Sequence, residues 1–557
     1  MLQGCVPWPA ESARQFRAKG YWEDVSIPAL FAAMAAGEPD RIAVVDGERR
    51  MTLSALWAAS GRLAAHFHRL GLGIGDRVVF QLPSSVAFFE SFLALLRLGV
   101  IPIMALPPHR ETELLHFARF GGAKALFVPQ KIGEFDFRRM AEHVRAGAPT
   151  LEQVFVLGDA LEGQQSLVAL AARPADPHDL ELVGNIEIDP NDVALMLLSG
   201  GTTALPKLIP RTHNDYVYNF KQSARVAGFD EKTVVLAVLP LAHNYTLGSP
   251  GVLGALSFGG RVVVSGKTDI ETIFSLVERE KATVIPAAVP LIVNWLNDER
   301  LNRFDTSSLT LVQNGGARLS PELRTRLRQR LGCQFQEIYG TAEGLLNLTR
   351  LDDSEDRILH SSGAPICDDD EIKVLDSDGN EVPDGEPGEL VVRGPYTIRG
   401  YYNAPEINAK SFTSDGFYRM GDIVRKNGRY IVTEGRKNDL INRGGEKIST
   451  DEIENYMLKH PAIRGVAIVA MPDPTFGEKA CAFVTLNPGQ SLGFEELTKF
   501  LLDQKIAKFK LPERLEILDD FPISPAGKIL RRTLRETIDA KLAQERGDSP
   551  LPHPSPQ

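Results

Sequence analysis

From roughly residue 75 to 340 the chain alternates between short apolar, β-branched runs and segments with apolar positions at helical spacing. DRVVFQLP (76–83), VALMLLS (193–199), TVVLAVLP (233–240), RVVVSG (261–266), ATVIPAAV (282–289) and LTLVQNGG (309–316) predict buried strands. Residues 86–99, 213–228, 269–280 and 320–331 predict helices. Strands apolar on both faces, separated by helices, imply parallel sheets covered by helices. Between 371 and 435 the strands come closer together and turn signals multiply (DSDGNEVPDGEPGE, then RKNGRYIVTEG), which predicts a small antiparallel, barrel-like sub-domain. Beyond Gly435 the pattern is α+β, with strands near 463–471 and 479–486 and helices near 492–504 and 528–545. Ser449 and Glu452 form a capping-box pair ahead of a helical run to His460. The expected fold is α/β. A large N-terminal domain of parallel and mixed sheets (1–435, with the β-rich sub-domain at 371–435) leads through a hinge (436–440) to a small α+β lid (441–546). The proline-rich tail 547–557 is expected to be disordered.

A chain of 557 residues exceeds what one core serves, in line with more than one domain. A net charge of −10 argues against a nucleic-acid or anionic-membrane partner, since there is no excess of cations to replace phosphate counterions. Cys5, Cys333, Cys367 and Cys481 form no CxxC pair and read as reduced thiols of a cytoplasmic protein. The N-terminal stretch lacks a signal-peptide core, and the apolar run 92–106 is broken by Arg97 and Pro102.

The candidate chemistry starts at Leu198-Ser-Gly-Gly-Thr-Thr-Ala-Leu-Pro-Lys207, which follows a predicted strand. Glycines let backbone amides approach an oxyanion, hydroxyls donate to it, and lysine adds a mobile positive charge. The pattern is not GxxxxGK[ST], so a Walker-type NTPase fits poorly. Further along stand Asn314-Gly-Gly-Ala317, Tyr339-Gly-Thr-Ala-Glu343, Gly388-Glu-Leu390, Tyr418-Arg-Met-Gly-Asp422, Gly435-Arg-Lys-Asn-Asp-Leu-Ile441 and Pro522-Ile-Ser-Pro-Ala-Gly-Lys528. With these motifs in this order, the sequence resembles the adenylate-forming superfamily of acyl-CoA synthetases, luciferases and peptide-synthetase adenylation domains, over nearly its whole length.

The resemblance implies ATP and Mg2+ as cofactors and attack of a carboxylate on the α-phosphate, with pyrophosphate leaving. It places Ser199, Gly200, Gly201, Thr202, Thr203 and Lys207 on the β- and γ-phosphates, and Glu343 on the magnesium. Gly315, Gly316 and Ala317 would line the adenine and Tyr339 would stack on it, with Gly340 and Thr341 beside them. Asp422 would take both ribose hydroxyls. Arg436 would enter the ATP site from the lid boundary, and Lys528 would bridge the substrate carboxylate and the α-phosphate. The lid would then swing about Asn438, where the family has aspartate or lysine, and Gly444 and Gly445 would line a tunnel for a phosphopantetheine thiol.

Within the superfamily the chain looks most like the stand-alone aryl-acid ligases of siderophore pathways. The opening VPWPAESARQFRAKGYWED, Ile209-Pro-Arg-Thr-His213, Ala242-His-Asn-Tyr245, Ser249-Pro-Gly251 and the stretch 343–351 carry this likeness. It implies an acid pocket of His243, Asn244, Tyr245, Ser249, Gly316, Ile338 and Leu346. Asn244 would meet the ortho-hydroxyl and Tyr245 would form a wall; His243 is a pocket wall or a structural histidine. Ser249 favours 2,3-dihydroxybenzoate, because a second buried ring hydroxyl needs a partner. Leu346, larger than the valine of dihydroxybenzoate enzymes, points to salicylate. A matched polar group discriminates better than one methylene, so 2,3-dihydroxybenzoate is the expected acid and salicylate the alternative. An aryl carrier protein is the expected thiol acceptor, with coenzyme A second. Lys505, Lys508, Lys510 and Arg514 are either a docking stretch for an acidic carrier or merely a solvated charge run. The rival readings are an aromatic-acid CoA ligase and a silent adenylate-binding homologue.

Overall fold

The structure, a computed structural model, describes residues 1–199, 206–436, 439–443, 446–473, 476–504, 508–524 and 527–546. It divides into two compact units, Met1–Ile372 with Val392–Arg419, and Lys373–Val391 with Met420–Gln557.

The first unit holds two large sheets. In the seven-stranded sheet the order is Leu208–Thr212, Val193–Leu198, Ile101–Met104, Arg77–Phe80, Ala125–Pro129, Gln153–Leu157 and Gln165–Ser166. Its pairings are parallel except where Leu208–Thr212 turns back antiparallel on Val193–Leu198. The nine-stranded sheet runs from Ala364–Pro365 through Gly344–Leu348, Gln334–Thr341, Leu311–Gly315, Val284–Ala287, Val234–Ala237, Arg261–Val264 and Ile42–Asp46 to Arg49–Thr52. Its interior is parallel and both edges are antiparallel. Strands with both faces covered need apolar residues throughout, and Val193–Met196 and Val284–Ala287 are buried at every position. Around the second sheet a core including Phe274, Ile285, Trp295 and Leu327 excludes water. The predicted helices appear as Val86–Arg97, His213–Val226, Ile270–Glu280 and Pro321–Leu331. The last ends at Gly332, whose φ of +66° supplies the left-handed stop.

The second unit takes up most of a four-stranded sheet ordered Glu371–Leu375, Pro387–Arg393, Tyr418–Asn427 and Tyr430–Arg436. Inside this unit Ser449 Oγ donates to Glu434 O at 2.5 Å, a bond across residue 435. A second sheet pairs Ile463–Asp473 with Gly477–Leu486 antiparallel over a core that includes Ile441, Ile453 and Leu497. Ser449 caps the helix Thr450–Met457 as expected, accepting from Glu452 N. The return bond of a capping box does not form, because the Glu452 carboxylate takes Lys510 Nζ at 2.6 and 2.8 Å. The last helix starts at Arg531, leaving Lys528 on a turn ahead of it. No helix of the described residues is long and apolar enough to cross a membrane.

Candidate active site

The glycine-rich loop is closed at its base by its own ends. Leu198 and Leu208 are opposite each other in the ladder, and one step beyond them Ser199 N donates to Lys207 O at 3.0 Å. In return Lys207 N donates to Ser199 Oγ at 2.9 Å. Ser199 thus spends its hydroxyl oxygen on fixing the loop's neck. Gly200, Gly201, Thr202 and Thr203, expected to cradle phosphates, lie outside the described residues.

Above this neck, Lys207 Nζ sits 4.2 Å from the centre of the Tyr401 ring, within cation–π range. The Tyr401 hydroxyl donates to Glu343 Oε1 at 2.8 Å and lies 3.1 Å from the Tyr418 hydroxyl. Burial, with the Glu343 charge beside it, raises the Tyr401 phenol above its usual range, so it keeps its proton and donates. Its neighbour Tyr402 donates a backbone N–H to Leu208 O at 3.0 Å, seating the segment on the loop's outgoing strand. The turn carrying Glu343 is held by Arg211. This fully buried guanidinium donates to Ala342 O at 2.9 Å and to Asp215 Oδ1 at 2.7 Å. The expected pair Lys207 and Glu343 is therefore brought together by Tyr401, which sequence reasoning missed. The available signal was the aromatic pair in Arg399-Gly-Tyr-Tyr402, which follows Gly388-Glu-Leu390 closely.

Among the described residues no group of three or more His, Cys, Asp or Glu side chains is placed to hold a metal ion. What is present is one buried carboxylate, Glu343, with Oε1 occupied by Tyr401. That donor set fits a magnesium ion that keeps most of its water and shares phosphate oxygens, and does not fit a metal caged by protein.

On the second sheet, Leu311–Gly315 runs into Gly316, whose φ is +89°. Asn314 Nδ2 donates to Ala317 O at 2.7 Å, and its other contact is the buried Glu337 carboxylate, itself paired with Arg324 at 3.0 Å. Gly316 and Ala317 are exposed and Tyr339 is half-buried, so this strip presents a surface. Thr341 donates its hydroxyl to Gly344 O at 2.9 Å, which ties it to its own turn. Gly340 is required there, because a Cβ would meet Leu345 O at 2.3 Å.

Of the residues expected to form the acid pocket, His243, Asn244, Tyr245 and Ser249 lie on the helix Asn244–Gly248 and at its ends. His243 caps it, Nδ1 accepting from Tyr245 N at 3.2 Å. The Tyr245 ring lies flat against Gly315, where a Cβ would come within 2.9 Å of it. Ile338, buried, is in register with Gly315 on the next strand. Leu346, also buried, pairs with Gly340. Asn244 accepts from the Tyr216 hydroxyl at 2.9 Å and donates to Ser249 Oγ at 3.2 Å.

In the second unit Asp422 is buried and stands in register with Arg436 across the hairpin. Lys528 is exposed on a turn closed by Ser524 N donating to Lys528 O at 2.7 Å and Lys528 N donating to Ser524 Oγ at 3.1 Å. Asn438, Gly444 and Gly445 lie outside the described residues. Two residues of the basic stretch are paired within their own unit: Lys510 with Glu452, and Arg514 with Glu516 and Glu545. Of that stretch Lys505 is not described and Lys508 is exposed.

Residues 31–402 match the AMP-binding enzyme family, and residues 452–528 match the AMP-binding enzyme C-terminal domain. The chain belongs to the AMP-binding enzymes. It is 45% identical to the 2,3-dihydroxybenzoate-AMP ligase of Bacillus subtilis over 97% of this chain and 99% of that one. It is 41% identical to a salicylyl-CoA synthase / salicylate adenylyltransferase of Streptomyces over 97% and 98%. The apo structure of Mycobacterium smegmatis MbtA superposes with a TM-score of 0.74 at 39% identity, covering 96% of this chain and 98% of that one. In this AMP-binding enzyme the residues around Lys207, Glu343 and Tyr401 all fall within the first family match, and Lys528 is the last residue of the second.

Proposed function

We propose that this AMP-binding enzyme activates an aryl carboxylic acid, 2,3-dihydroxybenzoate, as its acyl-adenylate and passes the aryl group to a phosphopantetheine thiol on an aryl carrier protein. One arrangement carries the reading: a single buried phenol, Tyr401, touches both the lysine of a glycine-rich loop and an isolated buried carboxylate. Lysine and carboxylate at such a spacing suit a metal-bound polyphosphate, and among the described residues no group of three or more His, Cys, Asp or Glu could cage a metal.

In the proposed step a carboxylate oxygen of the acid attacks the α-phosphorus of ATP, and the bond to pyrophosphate breaks. Lys207 and the loop behind Ser199 hold the β- and γ-phosphates. Glu343 would hold Mg2+, which when bound neutralises charge on the phosphate oxygens. Lys528 supplies an ammonium shared by the carboxylate and the α-phosphate, Asp422 accepts from the ribose hydroxyls, and Arg436 adds charge at the triphosphate. These groups act by placement and by stabilising charge that builds in the transition state. The adenine lies along Gly315, Gly316 and Ala317 beside Tyr339. The carrier thiol would then attack the carbonyl carbon, with Gly444 and Gly445 proposed to line its path, and AMP would leave. A lid at 441–546 swinging about 436–440 serves the two steps in turn.

Ser249 is the reason to choose 2,3-dihydroxybenzoate, since its hydroxyl is a partner for a second ring hydroxyl. Coenzyme A as acceptor is the second reading, favoured by the ion pairs that occupy Lys510 and Arg514 and by relatives named for CoA chemistry. Acid-dependent exchange of pyrophosphate into ATP, with 2,3-dihydroxybenzoate, salicylate, anthranilate and benzoate, tests the activation step. Exchange highest with 2,3-dihydroxybenzoate supports it, and a clear salicylate preference would reverse the choice of acid. Competition between coenzyme A and a phosphopantetheinylated aryl carrier protein separates the acceptors.

A further inference from the structure

We propose that Tyr216 fixes the polarity of the acid pocket, so that Asn244 reads a hydrogen-bond acceptor at the ortho position of the aryl acid. The proposal rests on Asn244 being the group that meets that position. Tyr216 is fully buried in the helix His213–Val226, and its hydroxyl donates to Asn244 Oδ1 at 2.9 Å. Gly248, one turn beyond Asn244, makes this approach possible, because a Cβ there would lie 2.7 Å from the tyrosine oxygen. The amide nitrogen of Asn244 donates to Ser249 Oγ at 3.2 Å.

An amide held between two hydroxyls has two orientations, and each makes two hydrogen bonds. In the reverse orientation Nδ2 would donate to Tyr216, and Oδ1 would accept from Ser249. That orientation leaves the Tyr216 hydrogen buried without an acceptor among the described residues, a loss that buried polar groups avoid. Burial raises the Tyr216 phenol above its usual range, so the hydrogen stays in place. Tyr216 thereby turns the nitrogen of Asn244 away from itself.

The consequence falls on the ligand. Nδ2 has a second hydrogen to give, and the hydroxyl hydrogen of Ser249, whose oxygen receives Asn244, is left for a second ring hydroxyl. The Nδ2 hydrogen suits an ortho-hydroxyl or phenolate oxygen. An ortho-amine meets it badly, since its lone pair is drawn into the ring and its own hydrogens face a donor. Tyr216 is a positioning residue that never touches the acid, yet it separates 2-hydroxy from 2-amino acids.

The test is kcat/KM for adenylate formation with salicylate and with anthranilate, each divided by the value for benzoate, in the full chain. The wild type should prefer salicylate on the order of tenfold or more. Tyr216→Phe frees the amide to turn and should narrow that ratio several-fold, chiefly by loss with salicylate. Gly248→Ala, which pushes the phenol away without removing it, should narrow it in the same way and serves if the phenylalanine variant does not fold. A ratio collapsed by Asn244→Ala but unmoved by Tyr216→Phe or Gly248→Ala would overturn the role of Tyr216 alone. A ratio indifferent to Asn244→Ala would instead remove the pocket reading beneath it.

Discussion

Tyr401 donates its phenolic hydrogen to Glu343 Oε1 across 2.8 Å while its ring face supports the Lys207 ammonium at 4.2 Å. The two contacts use different parts of one side chain, so substitution can separate them. Tyr401→Phe keeps the ring and releases the carboxylate. It should raise the magnesium concentration needed for half-maximal activity and lower kcat by about ten- to a hundredfold, the worth of a hydrogen bond to a charged group. Tyr401→Leu also removes the support of Lys207 and should in addition raise KM for ATP. A magnesium titration of both variants checks this, and identical curves for wild type and Tyr401→Phe would show the contact to be idle.

The turn that carries Lys528 is closed by backbone and serine bonds that do not need its side chain. Lys528→Ala should therefore keep the turn and lose only the ammonium. Adenylation is expected to drop by at least about a hundredfold, as when one preorganised charge-stabilising donor is removed. Thioester formation from supplied aryl-adenylate should continue. Measuring both half-reactions on one preparation decides the matter, since equal loss in each would deny Lys528 a role specific to adenylation.

Ser249 and Leu346 give opposite cues about the acid. Ser249→Ala should cost 2,3-dihydroxybenzoate roughly tenfold more than salicylate in kcat/KM, the cost of leaving one buried hydroxyl unpaired. Leu346→Val, which opens space, should shift the same ratio the other way by a few-fold. If Ser249→Ala affects both acids alike, the serine does not meet a second ring hydroxyl.

Two buried histidines give the stability a pH dependence. His213 Nδ1 accepts from Ile27 N at 3.2 Å, and His109 Nδ1 accepts from Leu106 N at 3.0 Å. Burial lowers their pKa values from 6.5 to about 3 and about 4. Between those values and 6.5 the unfolded chain binds protons that the folded chain refuses, so their stabilising contribution is present above pH 6.5 and is lost as pH falls. The slope is at most about 1.4 kcal/mol per pH unit for each histidine. His213→Gln, which retains an acceptor for Ile27 N, should flatten the fall of Tm between neutral pH and pH ~4. An unchanged slope would mean that His213 does not carry it.

Much of this was legible in the sequence because it depends on local pattern. Six apolar runs became strands, four helical spacings became helices, and Ser449 capped its helix, since each is set within a few residues. The bonds that close the neck of the loop were not read in the sequence, where Ser199 and Lys207 were both assigned to the phosphates by resemblance. Tyr401 and Glu343 are 58 positions apart, and nothing in either motif announces the other. Tyr216 sits within a helical run where its ring reads as core, and only the fold shows its hydroxyl meeting Asn244 28 positions on. Glu452 shows the opposite failure: the local rule was sound, but Lys510, 58 positions away, offered a charge that outbid a backbone amide. Antiparallel edges on the two large sheets likewise depend on which strand lies free at the margin, and periodicity does not encode that.

In the proposed reaction the acid's own carboxylate oxygen forms the bond to the α-phosphorus. Acid labelled with heavy oxygen in both carboxylate positions, carried through one round of thioester formation, tests it directly by mass spectrometry of the released nucleotide. The expected product is AMP carrying one labelled oxygen in its phosphate, with unlabelled pyrophosphate. Unlabelled AMP, or ADP with the label in inorganic phosphate, would contradict it.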